Sequence, residues 1–135
     1  IIKIEKAKTI YGGNDMIYHW LGWISLAMCV LLLTKYIGRI SKNKKINQLL
    51  RKIHNPLGIT VIGIAGLHGI ICFIKTPQAI AQNITGLILW ILILGLAATF
   101  YFKAKMKARW FQMHRYLSII LCVIMMIHIV LSVSL

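Results

Sequence analysis

The sequence predicts an all-α integral membrane protein, an up-and-down bundle of four transmembrane helices. Three observations carry that expectation. Hydrophobic residues make up 59% of the 135 residues and charged ones only 13%, against roughly 45–50% and about 25% in ordinary soluble domains. The charges leave four long apolar intervals, each close to the roughly 20 residues a helix needs to cross a hydrocarbon core. The basic residues, 16 Lys and Arg against 2 Asp and Glu for a formal charge of +14, crowd into two of the connections. One soluble domain of this length cannot hide so much apolar surface, so the charge is not read as a nucleic-acid footprint. The same hydrophobicity excludes intrinsic disorder.

The first span is read over about 16–36, on the charge-free interval Met16 to Thr34 between Asp15 and Lys35, and the second over 53–74, between Lys52 and Lys75. Ahead of the second, Ile46, Leu49, Leu50 and Ile53 recur at helical spacing and suggest an interfacial extension leading into it. Pro56 leaves two arrangements open: it kinks a continuous helix, or Asn55 caps a new helix with Pro56 in its first turn. Pro77, Gln78, Gln82 and Asn83 read as a loop, so the third span is placed at about 84–102. The fourth runs over 114–135. Residues 1–135 therefore read as a single transmembrane domain, with no internal repeat beyond the histidine spacing described below. The chain begins with Ile1 rather than Met, which points to upstream processing or an incomplete chain, and no classical signal peptide is visible.

Basic residues sort between the two membrane faces. Seven lie in the first connection (Lys35, Arg39, Lys42, Lys44, Lys45, Arg51 and Lys52) and five in the third (Lys103, Lys105, Lys107, Arg109 and Arg115). The opposite side carries Lys3, Lys6, Lys8 and Lys75. The positive-inside rule places the twelve in the cytoplasm and both termini outside. The expected location is a cytoplasmic membrane of bacterial type, with the basic face also meeting anionic lipid.

Cys29, Cys72 and Cys122 are widely separated, with no CxxC or CxxCH, which argues against structural zinc, a disulfide framework and covalent haem attachment. The histidines carry more information. His54 and His68 are fourteen residues apart, and so are His114 and His128. Fourteen residues span about 21 Å of helix and fall only some 40° short of four full turns, so both members of a pair look much the same way. In an up-and-down bundle the second and fourth spans run in the same direction. His54 and His114 then share one depth near the cytoplasmic face, and His68 and His128 share another towards the outer face. Two facing histidine pairs stacked across a membrane match the needs of two non-covalent b-type haems with bis-imidazole iron ligation. Zinc fits worse, since no Cys or carboxylate joins either pair.

His19, near the outer end of the first span in Tyr18-His19-Trp20, has no spaced partner. It is assigned a peripheral place beside the outer haem. Arg51, Arg109 and Arg115 fall at the depth of the inner haem and are candidates to pair with its propionates, with Arg115 first because it follows a ligand. Gly58, Gly63, Gly66 and Gly69 thin out the second helix around its histidines, which suits either a flat macrocycle or close helix packing.

On these residues the chain resembles the ferric reductase-like transmembrane domain family. That family includes the haem cores of NADPH oxidases and ferric reductases and the haem subunit of bacterial methionine sulfoxide reductase. The resemblance rests on the paired histidine spacing on two helices with one helix between them, and on Trp110-Phe111-Gln112-Met113-His114-Arg115. It covers about 16–135. It departs from the family in showing four spans where six are usual, and in carrying no flavin- or nicotinamide-binding domain after Leu135. Cytochrome b561-type proteins, which spread their ligands over four helices, fit less well.

The expected function is therefore a di-haem b-type cytochrome passing electrons across the cytoplasmic membrane. Its donor would be a cytoplasmic flavoprotein or iron–sulfur protein and its acceptor an extracytoplasmic partner or a quinone. The chain would be the electron-transfer subunit of an oxidoreductase complex, without a flavin or NAD domain of its own and with other subunits as neighbours. The alternatives are a small membrane transporter, disfavoured because Glu5 and Asp15 both lie outside the spans, and a haem-handling membrane protein without an electron-transfer role.

Overall fold

In the computed structural model the backbone is described over residues 2–40 and 43–134, and the side chains over 16–36, 38–40 and 43–134. Lys42 of the first basic connection, Leu135 at the end of the fourth span, and the side chains of Lys3, Glu5, Lys6, Lys8 and Asp15 lie outside the described residues. Among the described residues all regular structure is helical: α1 (Ile2–Ile40), α2 (Lys44–Lys75), α3 (Ile80–Tyr101), α4 (Lys103–Met106) and α5 (Arg109–Ser134). The stretch Met16–Ile40 of α1, together with α2, α3 and α5, makes four helices long and apolar enough to cross a membrane. At 1.5 Å per residue even the shortest, α3, spans about 33 Å, against a hydrocarbon core of about 30 Å.

Local chemistry sets the helix boundaries. The Asn43 side-chain oxygen accepts from the backbone N–H of Lys45 and Ile46 at 3.1 and 3.4 Å, which caps the start of α2. The helix then runs unbroken through Pro56, so the continuous arrangement holds and the basic, amphipathic residues 44–52 are its first turns. Pro56 removes one backbone donor, and its carbonyl accepts the Thr60 hydroxyl at 3.0 Å. At the other end the Thr76 N–H and hydroxyl both donate to the Cys72 carbonyl at 2.8 Å, closing the last turn.

The third span begins earlier than the sequence suggested. Pro77 and Gln78 do form the turn, but Gln82 and Asn83 lie inside α3, which starts at Ile80. Their amides are satisfied by protein: Asn83 Nδ2 donates to the Thr76 carbonyl at 2.9 Å and Gln82 Nε2 to the Leu131 carbonyl at 3.2 Å. Polar side chains that read as loop are here ties between elements. Between α3 and α5 the reversal passes through α4 and Lys107, whose φ of 49° lies in the left-handed region.

The chain falls into two compact units, one up to Ile71 and one from Cys72 onward. In the first, α1 and α2 form an antiparallel hairpin. Tyr18 meets His68 near one end, and Gly38 meets Leu50 near the other. In the second, α3 and α5 are antiparallel in a strict register: advancing from Thr85 to Thr99 on α3 moves the partner back from His128 to His114 on α5. Few side chains are shielded by protein. Large apolar residues such as Ile59, Phe73 and Val133 are 73%, 68% and 74% exposed, as expected where hydrocarbon rather than protein covers the helix surface.

Candidate functional site

Each of the two helices that carry a histidine pair has a stripe of period seven. On α2 it is His54, Val61, His68; on α5 it is His114, Leu121, His128. Seven residues are close to two full turns, so the midpoint residue shares the face of its flanking histidines. Val61 is completely buried and Leu121 nearly so, among the few core residues of the chain. All four histidines are half-buried, and the Nδ1 atom of His54 is itself buried. The faces the sequence singled out are thus turned towards protein.

The hydrogen bonds of three of these histidines fix their chemistry. His68 Nδ1 lies 2.9 Å from the backbone carbonyl of Tyr18 on α1. A carbonyl only accepts, so this nitrogen must carry the proton. His128 Nδ1 lies 2.8 Å from the Thr85 hydroxyl, and His114 Nδ1 lies 2.8 Å from the Thr99 hydroxyl. Each hydroxyl has a single proton. Thr85 directs it to the carbonyls of Ala81 and Gln82 at 2.9 and 3.0 Å, and Thr99 directs it to that of Leu96 at 2.7 Å. In the tautomer where the hydroxyl proton stays directed to the carbonyl, the threonine oxygen accepts from the imidazole Nδ1–H. His68 therefore carries its lone pair on Nε2, as His114 and His128 do in that tautomer. An imidazole whose Nδ1–H is fixed by an oxygen is the arrangement that orients a metal-ligating histidine.

Glycines on the neighbouring helices admit the rings. A Cβ built on Gly22 of α1 would stand 3.0 Å from His68 Cε1, and one on Gly86 of α3 would stand 3.4 Å from His128 Cε1. By contrast a Cβ on Gly58, Gly63 or Gly69 of α2 meets nothing within 4 Å. Gly58, Gly63 and Gly69 are therefore open, whereas Gly22 and Gly86, which adjoin histidines, lie on α1 and α3.

The remaining sequence candidates sit at the periphery. His19 is exposed, its ring 4.3 Å from that of Tyr18. Arg51, Arg109 and Arg115 are exposed. Arg51 shares a shallow hollow with Gln48, Lys52 and Asn55, and Arg109 shares another with Lys105, Lys107 and Met113. None of the four paired histidines lines either hollow. Arg115 is turned about 100° from His114 around α5, and the Trp110 ring stands 6.2 Å from that of His114. Lys103 and Lys105 lie over the rings of Phe100 and Phe102, at 4.3 and 5.8 Å. No disulfide joins the three cysteines, of which Cys29 is buried.

Sequence reasoning missed Thr85, Thr99, Gly22 and Gly86. One signal was present: Thr85 and Thr99 are themselves fourteen residues apart, on α3. An antiparallel neighbour must repeat its partner's spacing, so the match was readable. The Tyr18 carbonyl is a backbone atom and leaves no trace in sequence. Comparison of the chain with family models, curated protein sequences and solved structures gave no match.

Proposed function

We propose that the chain is a di-haem b-type cytochrome of the ferric reductase-like kind, carrying electrons across a bacterial cytoplasmic membrane as a subunit of a redox complex. The observation that carries this reading is that Nδ1 of three evenly spaced histidines lies within hydrogen-bond distance of an oxygen, the Tyr18 carbonyl for His68 and a threonine hydroxyl for His114 and His128. Each ring, on this reading, donates through Nδ1 and turns Nε2 to the metal. In this reading His54 and His114 hold the haem nearer the cytoplasm, and His68 and His128 hold the outer one, the pairing following from the order of the spans. The residues fit the group: the rings of His68, His114 and His128 are held at Nδ1, all four histidines are half-buried, and open glycines such as Gly58 and Gly69 adjoin the α2 histidines.

When bound, each haem supplies one-electron Fe(III)/Fe(II) chemistry. The chain supplies everything else. Thr99, Thr85 and the Tyr18 carbonyl hold the imidazoles in a single tautomer. On its own helix each of Val61 and Leu121 is a buried apolar residue midway between two histidines, which keeps water from that face. The basic residues of the first and third connections attract an acidic flavoprotein or iron–sulfur donor on the cytoplasmic side, as well as anionic lipid. On the outer side, near His19, the acceptor is an extracytoplasmic partner or a quinone.

Proteoliposomes loaded with ferricyanide and exposed to external dithionite test this function. Wild-type protein should discharge the internal oxidant, and H68A and H114A should not. Discharge by the variants at the wild-type rate would refute electron conduction through these histidines.

A further inference from the structure

The histidines of α2 and α5 are not supported alike. His68 is held by a backbone carbonyl, which no substitution at Tyr18 removes, whereas both α5 histidines are held by side chains of one helix. Thr99 is 5% exposed, so its bond to His114 is shielded from solvent. Each threonine hydroxyl lies between an imidazole Nδ1 and a carbonyl one turn back along α3. In the proposed tautomer Nδ1–H donates to the hydroxyl oxygen while the hydroxyl proton donates to the carbonyl. Such chains polarise their members cooperatively, the outer bond making the hydroxyl oxygen a better acceptor. The imidazole behind it then becomes a stronger electron donor at Nε2.

We infer that Thr85 and Thr99 form a two-rung ladder on α3 that sets the redox level of each site separately, Thr99 through His114 and Thr85 through His128. Both are positioning residues and act only through the imidazoles. The inference rests on the haem reading above. Electron density pushed towards the iron favours Fe(III) and lowers the midpoint potential, so removing the acceptor raises it. Valine is nearly isosteric with threonine and lacks only the hydroxyl. Serine keeps the hydroxyl and loses a methyl. The ladder thus separates chemistry from packing.

The test is a spectroelectrochemical titration of detergent-purified wild type, T85V, T99V, T85S and T99S, with haem quantified per chain. T99V should shift upward only the potential of the haem that H114A removes, and T85V only that of the haem removed by H128A. The serine variants should stay at wild-type values. Loss of haem from the one matching site, restored by serine, also supports the ladder. Full haem content with unshifted potentials in both valine variants overturns it while leaving the cytochrome reading intact. Wild-type protein that binds no added haem overturns both. An independent readout is 15N NMR of histidine-labelled protein before haem addition. His114 and His128 should show Nδ1-protonated rings in wild type and an altered tautomer balance in the valine variants. Unchanged spectra there would remove the hydrogen-bond basis of the inference.

Discussion

Gly22 gives the most sharply defined perturbation. Alanine at this position puts its Cβ 3.0 Å from His68 Cε1, 3.4 Å from Nε2 and 3.5 Å from Nδ1. Optimal carbon–carbon separation is about 3.5–4.0 Å, so the ring must retreat by about half an ångström. The ring that must give way is the one held by a 2.9 Å bond to the Tyr18 carbonyl. Forcing a methyl into such a site costs about 1–3 kcal/mol. Any glycine-to-alanine change inside a helix also brings back about 0.5–1 kcal/mol of backbone entropy. Gly63→Ala isolates that second effect, since its Cβ meets nothing within 4 Å and Gly63 lies about 180° from His54 around α2. The difference between the two variants is therefore the steric cost alone, about 5- to 150-fold in an equilibrium at 1.4 kcal/mol per decade. Gly86→Ala, at 3.4 Å from His128, should fall between them. Thermal unfolding in detergent and haem retained per chain, measured on all three, should rank Gly22→Ala last. Equal behaviour of Gly22→Ala and Gly63→Ala in both assays would refute the tight seating of His68 on α1.

Three further outcomes are expected. His19→Ala should keep both haems, since His19 is exposed, whereas His68→Ala should lose one and keep the other by visible spectroscopy. Gly58→Leu has open space around it and stands one turn from His54 on the same face, so it should leave folding by circular dichroism intact while lowering haem content. Gln82→Leu removes the donor to the Leu131 carbonyl and should lower stability in chemical unfolding by about 0.6 kcal/mol, the usual size of a helix-to-helix hydrogen bond in a membrane.

Much of this architecture was written in the hydropathy pattern. Four spans, the helical start at residues 44–52 and the equal spacing of the histidines all follow from periodicity and from the places where charges interrupt it. The first turn of α3 was misread because Gln82 and Asn83 look like loop residues. Their amides are satisfied by the carbonyls of Leu131 and Thr76, and such long-range partners leave no local mark. The same limit hid the support of the histidines. A carbonyl at Tyr18 has no side-chain signature, and a threonine inside an apolar helix reads as a tolerated small residue until its register against α5 is known. The glycines on α2 drew attention through their number, yet contact with histidines falls to Gly22 and Gly86 on the neighbouring helices. Residue type thus pointed to the histidines, and three-dimensional pairing was needed to see what holds them.

The central claim, that four histidines hold two b-type haems, is tested most directly by a reduced-minus-oxidised visible spectrum of the purified chain with haem quantified against protein. Two low-spin, non-covalent haems per chain are expected, falling to one in His68→Ala. Protein expressed with ample haem and purified without any bound would contradict it.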